Sequence, residues 1–317
     1  MTLRWRPLEA DTVEEWAELV NALAKADGTE EFYEVENLRE ELGHSGFDPA
    51  SDSVSVWQDD RMVGYAKLWV SGSLGADGRG AVGIEGGVHP DFRGRGLGRQ
   101  LMDQIEPRAN QLGAERHPGA ELWLRASGGL AGASVRPLLE HRGFEPARYF
   151  HELERPLTGT LPATDALPAS VRPYAPELAE PVRLAHNEAF AQHWGSSPRT
   201  PQYWQEFVES RAFRPECSFV SLAEDGLVDA YVICRQWTAG ELYVELVGTR
   251  PRARGRGLAR ACLSASLHAG AEHGFAKAAL AVDAQNADGA GRLYESMGFE
   301  PVRVTAAYSK LVRPPAG

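Results

Sequence analysis

"HPDFRGRGLGRQL" (His89–Leu101) and "RPRARGRGLARAC" (Arg250–Cys262) carry nearly the same arginine–glycine string, with Arg93 and Arg254 standing 161 positions apart. Each string follows an apolar, strand-like run and opens an apolar, helix-like run, so neither is a flexible tail. The echo spreads outward. "LLEHRGFEP" (Leu138–Pro146) returns as "LYESMGFEP" (Leu293–Pro301), and "VSVWQDDRMVGYAKLWV" (Val54–Val70) returns as "VSLAEDGLVDAYVICRQW" (Val220–Trp237). The last pair alternates apolar residues around a short polar turn, the pattern of a hairpin. The starts match too, "LRWRPLEAD" near Leu3 and "VRPYAPE" near Val171. Matching signposts in one order identify a duplicated unit.

A chain of 317 residues is about two domains long. The repeats predict a first domain over 1–155, a Pro/Thr/Ala-rich linker over 156–170 and a second domain over 171–317. In the second, a strand near Val171 precedes a helix with Leu178, Val182, Ala185 and Ala189 on one face. A short helix with Trp204 and Phe207 follows, then the hairpin Cys217–Trp237 and a strand Glu241–Thr249. A helix starts near Gly257, a strand spans Ala278–Asp283, a helix runs from about Ala287 to Met297, and a last strand covers Val302–Leu311. Strands mixed with helices make each half α/β.

With 43% apolar and 24% charged residues the chain reads as soluble and globular. It has no apolar run of the roughly 18 residues a membrane helix needs. Met1–Pro7 lacks an apolar signal core, and Cys217, Cys234 and Cys262 have neither metal nor disulfide spacing. A cytoplasmic protein without metal, nucleic-acid or membrane partners is expected. The net charge of −11 opposes nucleic-acid binding in particular. Local basic loops on an acidic chain suit a small polyanion.

Where a strand ends and a helix begins, the first helical N–H groups have no internal partner and face outward at the positive end. A pyrophosphate accepts from several at once, and glycines allow its close approach. Arg250, Arg252, Arg254, Arg256 and Arg260 add charge. A dinucleotide-binding loop would close the first strand of its domain, whereas three strands precede this one, and no Gly-Lys-Ser/Thr of a P-loop follows.

Arg-x-x-Gly-x-Gly/Ala after Val/Thr-x-Pro resembles the pyrophosphate loop of the GNAT (GCN5-related N-acetyltransferase) family. The matching residues are Val88, Pro90, Arg93, Gly96 and Gly98 in the first repeat and Thr249, Pro251, Arg254, Gly257 and Ala259 in the second. "VDAQNADGAGRLYESMGF" (Val282–Phe299) is similar to the family's strand–Asn–helix–Tyr–Gly-Phe ending. The resemblance covers nearly the whole chain. It implies two tandem GNAT-like acyl-CoA N-acyltransferase domains, each a mixed, mostly antiparallel central sheet flanked by helices. It also implies acetyl-CoA as co-substrate and direct attack by a primary amine of a small molecule or peptide.

By the same resemblance, Val247, Gly248, Thr249, Arg254, Gly255, Arg256, Gly257, Leu258 and Ala259 hold the cofactor in the second repeat, with Asn286 on the pantetheine arm. Val88, Arg93, Gly94, Arg95, Gly96, Leu97 and Gly98 do so in the first. Tyr294, four residues before Gly298, falls where the family's thiolate-protonating tyrosine stands. The first repeat has Leu139 there, no asparagine in "RASGGLAGASVRP" (Arg125–Pro137), and Pro107 expected to kink its helix. It is therefore expected to be catalytically degenerate, a CoA-binding relic or a wall of the acceptor cleft.

Glu245 is the candidate base, with Glu241 on the same strand and Glu85 a candidate in the first repeat; a water chain is the alternative. His193 and Trp194, with Glu241, are the candidate acceptor contacts, while His186 reads as a packed or surface histidine. An acidic chain attracts amines. Two further readings stand beside this one. The two-repeat layout is similar to family members that acetylate a cysteinyl-sugar amine, and a CoA-binding module without turnover is the non-enzyme alternative. A monomer or homodimer is expected.

Overall fold

A computed structural model describes residues 3–29, 32–162, 168–285 and 290–312. The chain forms two compact units, one of Met1–Tyr149 with Thr305–Gly317, the other of Phe150–Val304.

Unit 1 runs β1 (Leu3–Arg6), α1 (Val13–Asp27), α2 (Val35–Leu42), α3 (Pro49–Asp52), β2 (Ser53–Gln58), β3 (Arg61–Val70), β4 (Gly80–Val88), α4 (Leu97–Arg116), β5 (Leu122–Gly129), α5 (Val135–His141) and the start of β6 (Glu145–Pro156). Buried Val13, Trp16, Ala17, Val20 and Ala24 recur at helical spacing, so α1 lays one apolar stripe on the sheet. Gly28 ends it in the left-handed region (φ 67°), with its N–H bonded to the Ala24 carbonyl. The sheet order is β1-β2-β3-β4-β5, antiparallel except for the parallel β4/β5 pair. Helices cover both faces. Trp16, Leu19 and Leu38 pack with Tyr65 on one side, and Leu101, Ile105 and Leu112 pack with Val82 and Leu124 on the other. Helix α4 runs unbroken from Leu97 to Arg116 with Pro107 inside it. The preceding Glu106 is buried and pinned by Arg142 at 2.7 Å and by Lys310.

Unit 2 repeats the plan with β7 (Val171–Pro173), α6 (Ala179–Ala189), α7 (Pro201–Glu209), β8 (Phe219–Leu222), β9 (Val228–Arg235), β10 (Glu241–Thr249), α8 (Leu258–Glu272), β11 (Lys277–Asp283), α9 (Ala290–Ser296) and the start of β12 (Glu300–Val312). Its order is β7-β8-β9-β10-β11, again with one parallel pair, β10/β11.

The closing strands depart from the sequence boundaries 1–155, 156–170 and 171–317. The end of β12 belongs to unit 1, pairing with β5 from Ala306↔Gly129 to Val312↔Leu122. The end of β6 belongs to unit 2, pairing with β11 from Phe150↔Asp283 to Pro156↔Lys277. The expected linker also begins inside unit 2. Leu157 is in its core and donates its N–H to the Ala276 carbonyl, and Pro162 accepts from the Ser264 hydroxyl at 3.2 Å. Repetition in sequence locates each strand along the chain; it does not say which open sheet edge the strand closes.

Candidate active site

The site of unit 2 begins with a defect in a strand. β10 and β11 pair only over Glu241–Tyr243, and the register of β10 against β9 shifts between Val244 and Leu246. Glu245 is thus the extra residue of a β-bulge. Beyond it, residues 246–249 keep strand pairing on the β9 side while the β11 side opens. In unit 1, β3 and β4 stay in register from Gly64↔Val88 to Val70↔Val82, and β4 follows β5 for five residues. Unit 1 has the strand without the bulge.

From Thr249 the chain makes one 3-10 turn and enters the arginine–glycine loop. Gly255 and Gly257 hold φ of 76° and 75°, as Gly94 and Gly96 hold 73° and 80°. Left-handed glycine is sterically free where other residues are strained. A Cβ at Gly94, Gly255 or Gly257 would meet nothing within 4 Å, so the space over these positions is open. No side chain caps α4 or α8, whose N-caps are Gly96 and Gly257. The buried Leu97 and Leu258 anchor the first turns, and Gly98 stands where a Cβ would come within 3.2 Å of Leu138. Both loops fit a diphosphate in backbone terms.

The arginines are more committed than their sequence suggests. Arg250 pairs with Glu188 at 2.5 Å and donates to the Val228 carbonyl. Asp229, buried beneath the loop, pairs with Arg252 at 2.8 Å and Arg256 at 3.4 Å, and Arg252 also reaches Asp225. Arg254 donates to the Ala189 carbonyl, and Arg260 donates to the Ser296 hydroxyl at 2.6 Å. In unit 1, Arg93 makes a two-pronged pair with Asp27 at 2.6 and 2.7 Å, and Arg95 donates to the Asp91 carbonyl. These side chains shape the loops by tying them to α1 and α6 and to β9. Asp229 replaces Val63 of the first repeat, the one sequence signal for this anchor.

Tyr294 lies on α9, buried edge-on to Phe299, and burial pushes its phenol up to about 12, so it stays protonated at neutral pH. Glu245 is half-buried and has no ion pair among the described residues. Glu241 and Glu85 differ from it. Glu241 pairs with Lys277 at 2.9 Å, and Glu85 pairs with Lys67 at 2.9 Å. Val247 and Thr249 are half-buried on the open stretch of β10. Gly248 is required by packing, since a Cβ there would lie 2.4 Å from the Tyr231 ring. The Tyr231 hydroxyl meets His186 Nδ1 at 2.8 Å, and His186 is buried and stacked on Phe190. His193 and Trp194 are half-buried in the α6–α7 turn, with the His193 ring 5.3 Å from Phe190. Asn286 lies outside the described residues. Leu139, opposite Tyr294 in the repeat, is a core residue.

Sequence reasoning missed a clamp present in both units. Asn21 donates to the Tyr33 carbonyl and accepts from its N–H (3.0 and 2.9 Å), and Asn187 does the same with Arg199 (3.1 and 2.7 Å). Each clamp fixes the turn between the first two helices of its unit. The signal was available, because Asn21 and Asn187 stand 166 apart, as Tyr65 and Tyr231 do.

Comparison with known proteins agrees with this geometry. The family model described as the acetyltransferase (GNAT) family matches residues 13–122 and 180–299. A mycothiol acetyltransferase of Thermobispora bispora is 31% identical over 307 residues, covering 92% of this chain and 94% of that protein. A GCN5-related N-acetyltransferase structure from Sphaerobacter thermophilus superposes with a TM-score of 0.77 at 25% identity, covering 99% and 97% of the two chains. A tandem GNAT protein from the clavulanic acid biosynthesis pathway shares the fold, with a TM-score of 0.69 at 17% identity over 99% of this chain and all of that one. The chain belongs to the GNAT acetyltransferase family and is an acetyltransferase with two such domains in tandem. No helix among the described residues is long and apolar enough to cross a membrane.

Proposed function

We propose that unit 2 transfers the acetyl group of acetyl-CoA to the primary amine of a small molecule or peptide, and that unit 1 binds the cofactor without turnover. The observation that carries this reading is the departure of β10 from β11 at the Glu245 bulge, on a strand that leads straight into the open glycine loop. Main-chain N–H groups of Gly255–Ala259 and the Val247–Thr249 edge, with Val247 and Thr249 half-buried, are the groups that would hold the diphosphate and pantetheine. Bound acetyl-CoA supplies an activated acyl carbon and a thiol leaving group.

Each residue then has one task. The opened edge of β10 offers N–H donors to the oxyanion that forms when the amine attacks. Glu245, which has no ion-pair partner among the described residues, takes the proton from the incoming ammonium. Tyr294, held protonated by burial, gives its proton to the departing thiolate. Unit 1 has neither the bulge nor the tyrosine. Among acceptors, the similarity to a mycothiol acetyltransferase favours a cysteinyl-sugar amine as the second reading.

The test is release of the CoA thiol from acetyl-CoA with a panel of primary amines that includes a cysteinyl-glucosamine. Tyr294→Phe should lower kcat by about 100-fold with the KM for acetyl-CoA unchanged. Acetyl-CoA binding without release for any amine would favour a non-catalytic module. Full activity of the variant would remove Tyr294 from the chemistry.

A further inference from the structure

In unit 2, α7 and the strands β9 and β10 meet through apolar side chains, with Phe207, Ile233 and Leu246 in one cluster. Ile233 and Leu246 are direct cross-strand partners. Unit 1 has charges at all three corresponding places. Glu41 and Lys67 stand 166 positions before Phe207 and Ile233, and Glu85 stands 161 before Leu246, the spacing of the glycine loops. Lys67 and Glu85 are likewise direct cross-strand partners.

These three side chains find one another. The Lys67 side chain is 6% exposed, its ammonium 2.9 Å from a Glu85 oxygen and paired with Glu41. Tyr65, one strand position along on the same face, donates its hydroxyl to Glu85 at 3.3 Å and sets its ring edge-on to Trp16. The carboxylates sit toward the rim, Glu41 27% and Glu85 49% exposed, and the lysine lies below them. The two carboxylates outweigh burial and hold the Lys67 ammonium protonated, while burial raises Glu41.

We infer that Glu41, Glu85 and Tyr65 form a site for a primary ammonium on the α2 face of unit 1's sheet, and that the protein fills it with its own Lys67. The lysine stands beside β4, the strand that corresponds to the bulged β10 of unit 2. With Lys67 in place both carboxylates already carry an ammonium partner, and an amine held in its protonated form is no nucleophile. Unit 1 is therefore closed to acceptors by an internal occupant, beyond lacking the catalytic tyrosine. The meaning for turnover rests on the acetyltransferase reading of unit 2; the site itself does not, and its test uses no acetyl-CoA.

The experiment is thermal unfolding of the full chain as Lys67→Ala, with and without n-propylammonium chloride, against tetramethylammonium chloride at equal concentration. Removing Lys67 leaves the Glu41 and Glu85 carboxylates facing each other near the rim without their ammonium, so the variant should lose about 2–4 °C in Tm. The primary ammonium should restore part of that loss, the quaternary one should not, and wild type should respond to neither beyond a general salt effect. If Lys67→Ala does not fold in plain buffer, recovery of the folded state by circular dichroism on adding n-propylammonium is the same readout. The triple variant Glu41→Phe, Lys67→Ile, Glu85→Leu, which installs unit 2's apolar set, should fold and ignore both amines. Equal rescue by the two amines, or no loss of Tm in Lys67→Ala, would overturn the proposal.

Discussion

Tyr231 fixes two features of unit 2 while exposing no surface. Its ring fills the space that makes Gly248 obligatory on β10, and its hydroxyl holds the buried His186 of α6. Burial drives His186 from its ordinary value near 6.5 down to about 3. The unfolded chain takes up that proton near 6.5 and the folded one only near 3. Between those values the unfolded state binds more protons, so the contribution of His186 to stability falls as pH drops through that window and is constant above it. His186→Gln keeps a hydrogen-bonding group for Tyr231 and removes the titration. The urea midpoint of wild type should accordingly fall more steeply than that of His186→Gln between about pH 7 and pH 4.5. Parallel slopes would mean that His186 titrates normally in the folded protein. His186 was legible only as a helical histidine, since its partner lies 45 residues away on another element.

At the scale of elements, the strands, helices and glycine loops were legible because each carries its own periodicity or turn chemistry. Both loops showed as Arg-Gly-Arg-Gly-Leu, and both sit between a strand and a helix with two left-handed glycines. The bulge at Glu245 was not legible, because a bulge is a mismatch between two strands and neither strand records it alone. The protein partners of the arginines were not legible for a related reason. Phosphate-binding and structural arginines look alike in a string, and the buried Asp229 that engages two of them lies on β9. The exchanged closing strands were equally hidden. Tyr308 belongs by sequence to the second repeat, yet its ring lies 2.4 Å from where a Cβ of Gly128 would be, and its hydroxyl donates to Glu140 at 2.9 Å. Tyr308→Ala should cost unit 1 about 3–5 kcal/mol, as a buried aromatic does when truncated. Amide hydrogen exchange should then show lost protection in α4 and β5 and unchanged protection in α8 and β10. Loss confined to unit 2 would contradict the strand assignment.

The whole molecule is a duplication in which one plan has been kept while the residues around the two glycine loops have diverged. Both units retain the asparagine clamp, the buried tyrosine of the third strand and the open glycine loop. Only unit 2 has the bulge, Tyr294 and a β10 carboxylate without an ion pair among the described residues, whereas unit 1 fills the corresponding face with Lys67. The central claim is that turnover belongs to unit 2, and a pair of loop variants tests it most directly. Gly257→Glu and Gly96→Glu each place a carboxylate and a strained left-handed residue in one glycine loop and leave the other loop unchanged. The rate of CoA release from acetyl-CoA should vanish in Gly257→Glu and persist in Gly96→Glu. Loss of turnover in Gly96→Glu with retention in Gly257→Glu would place the chemistry in unit 1 and contradict the account.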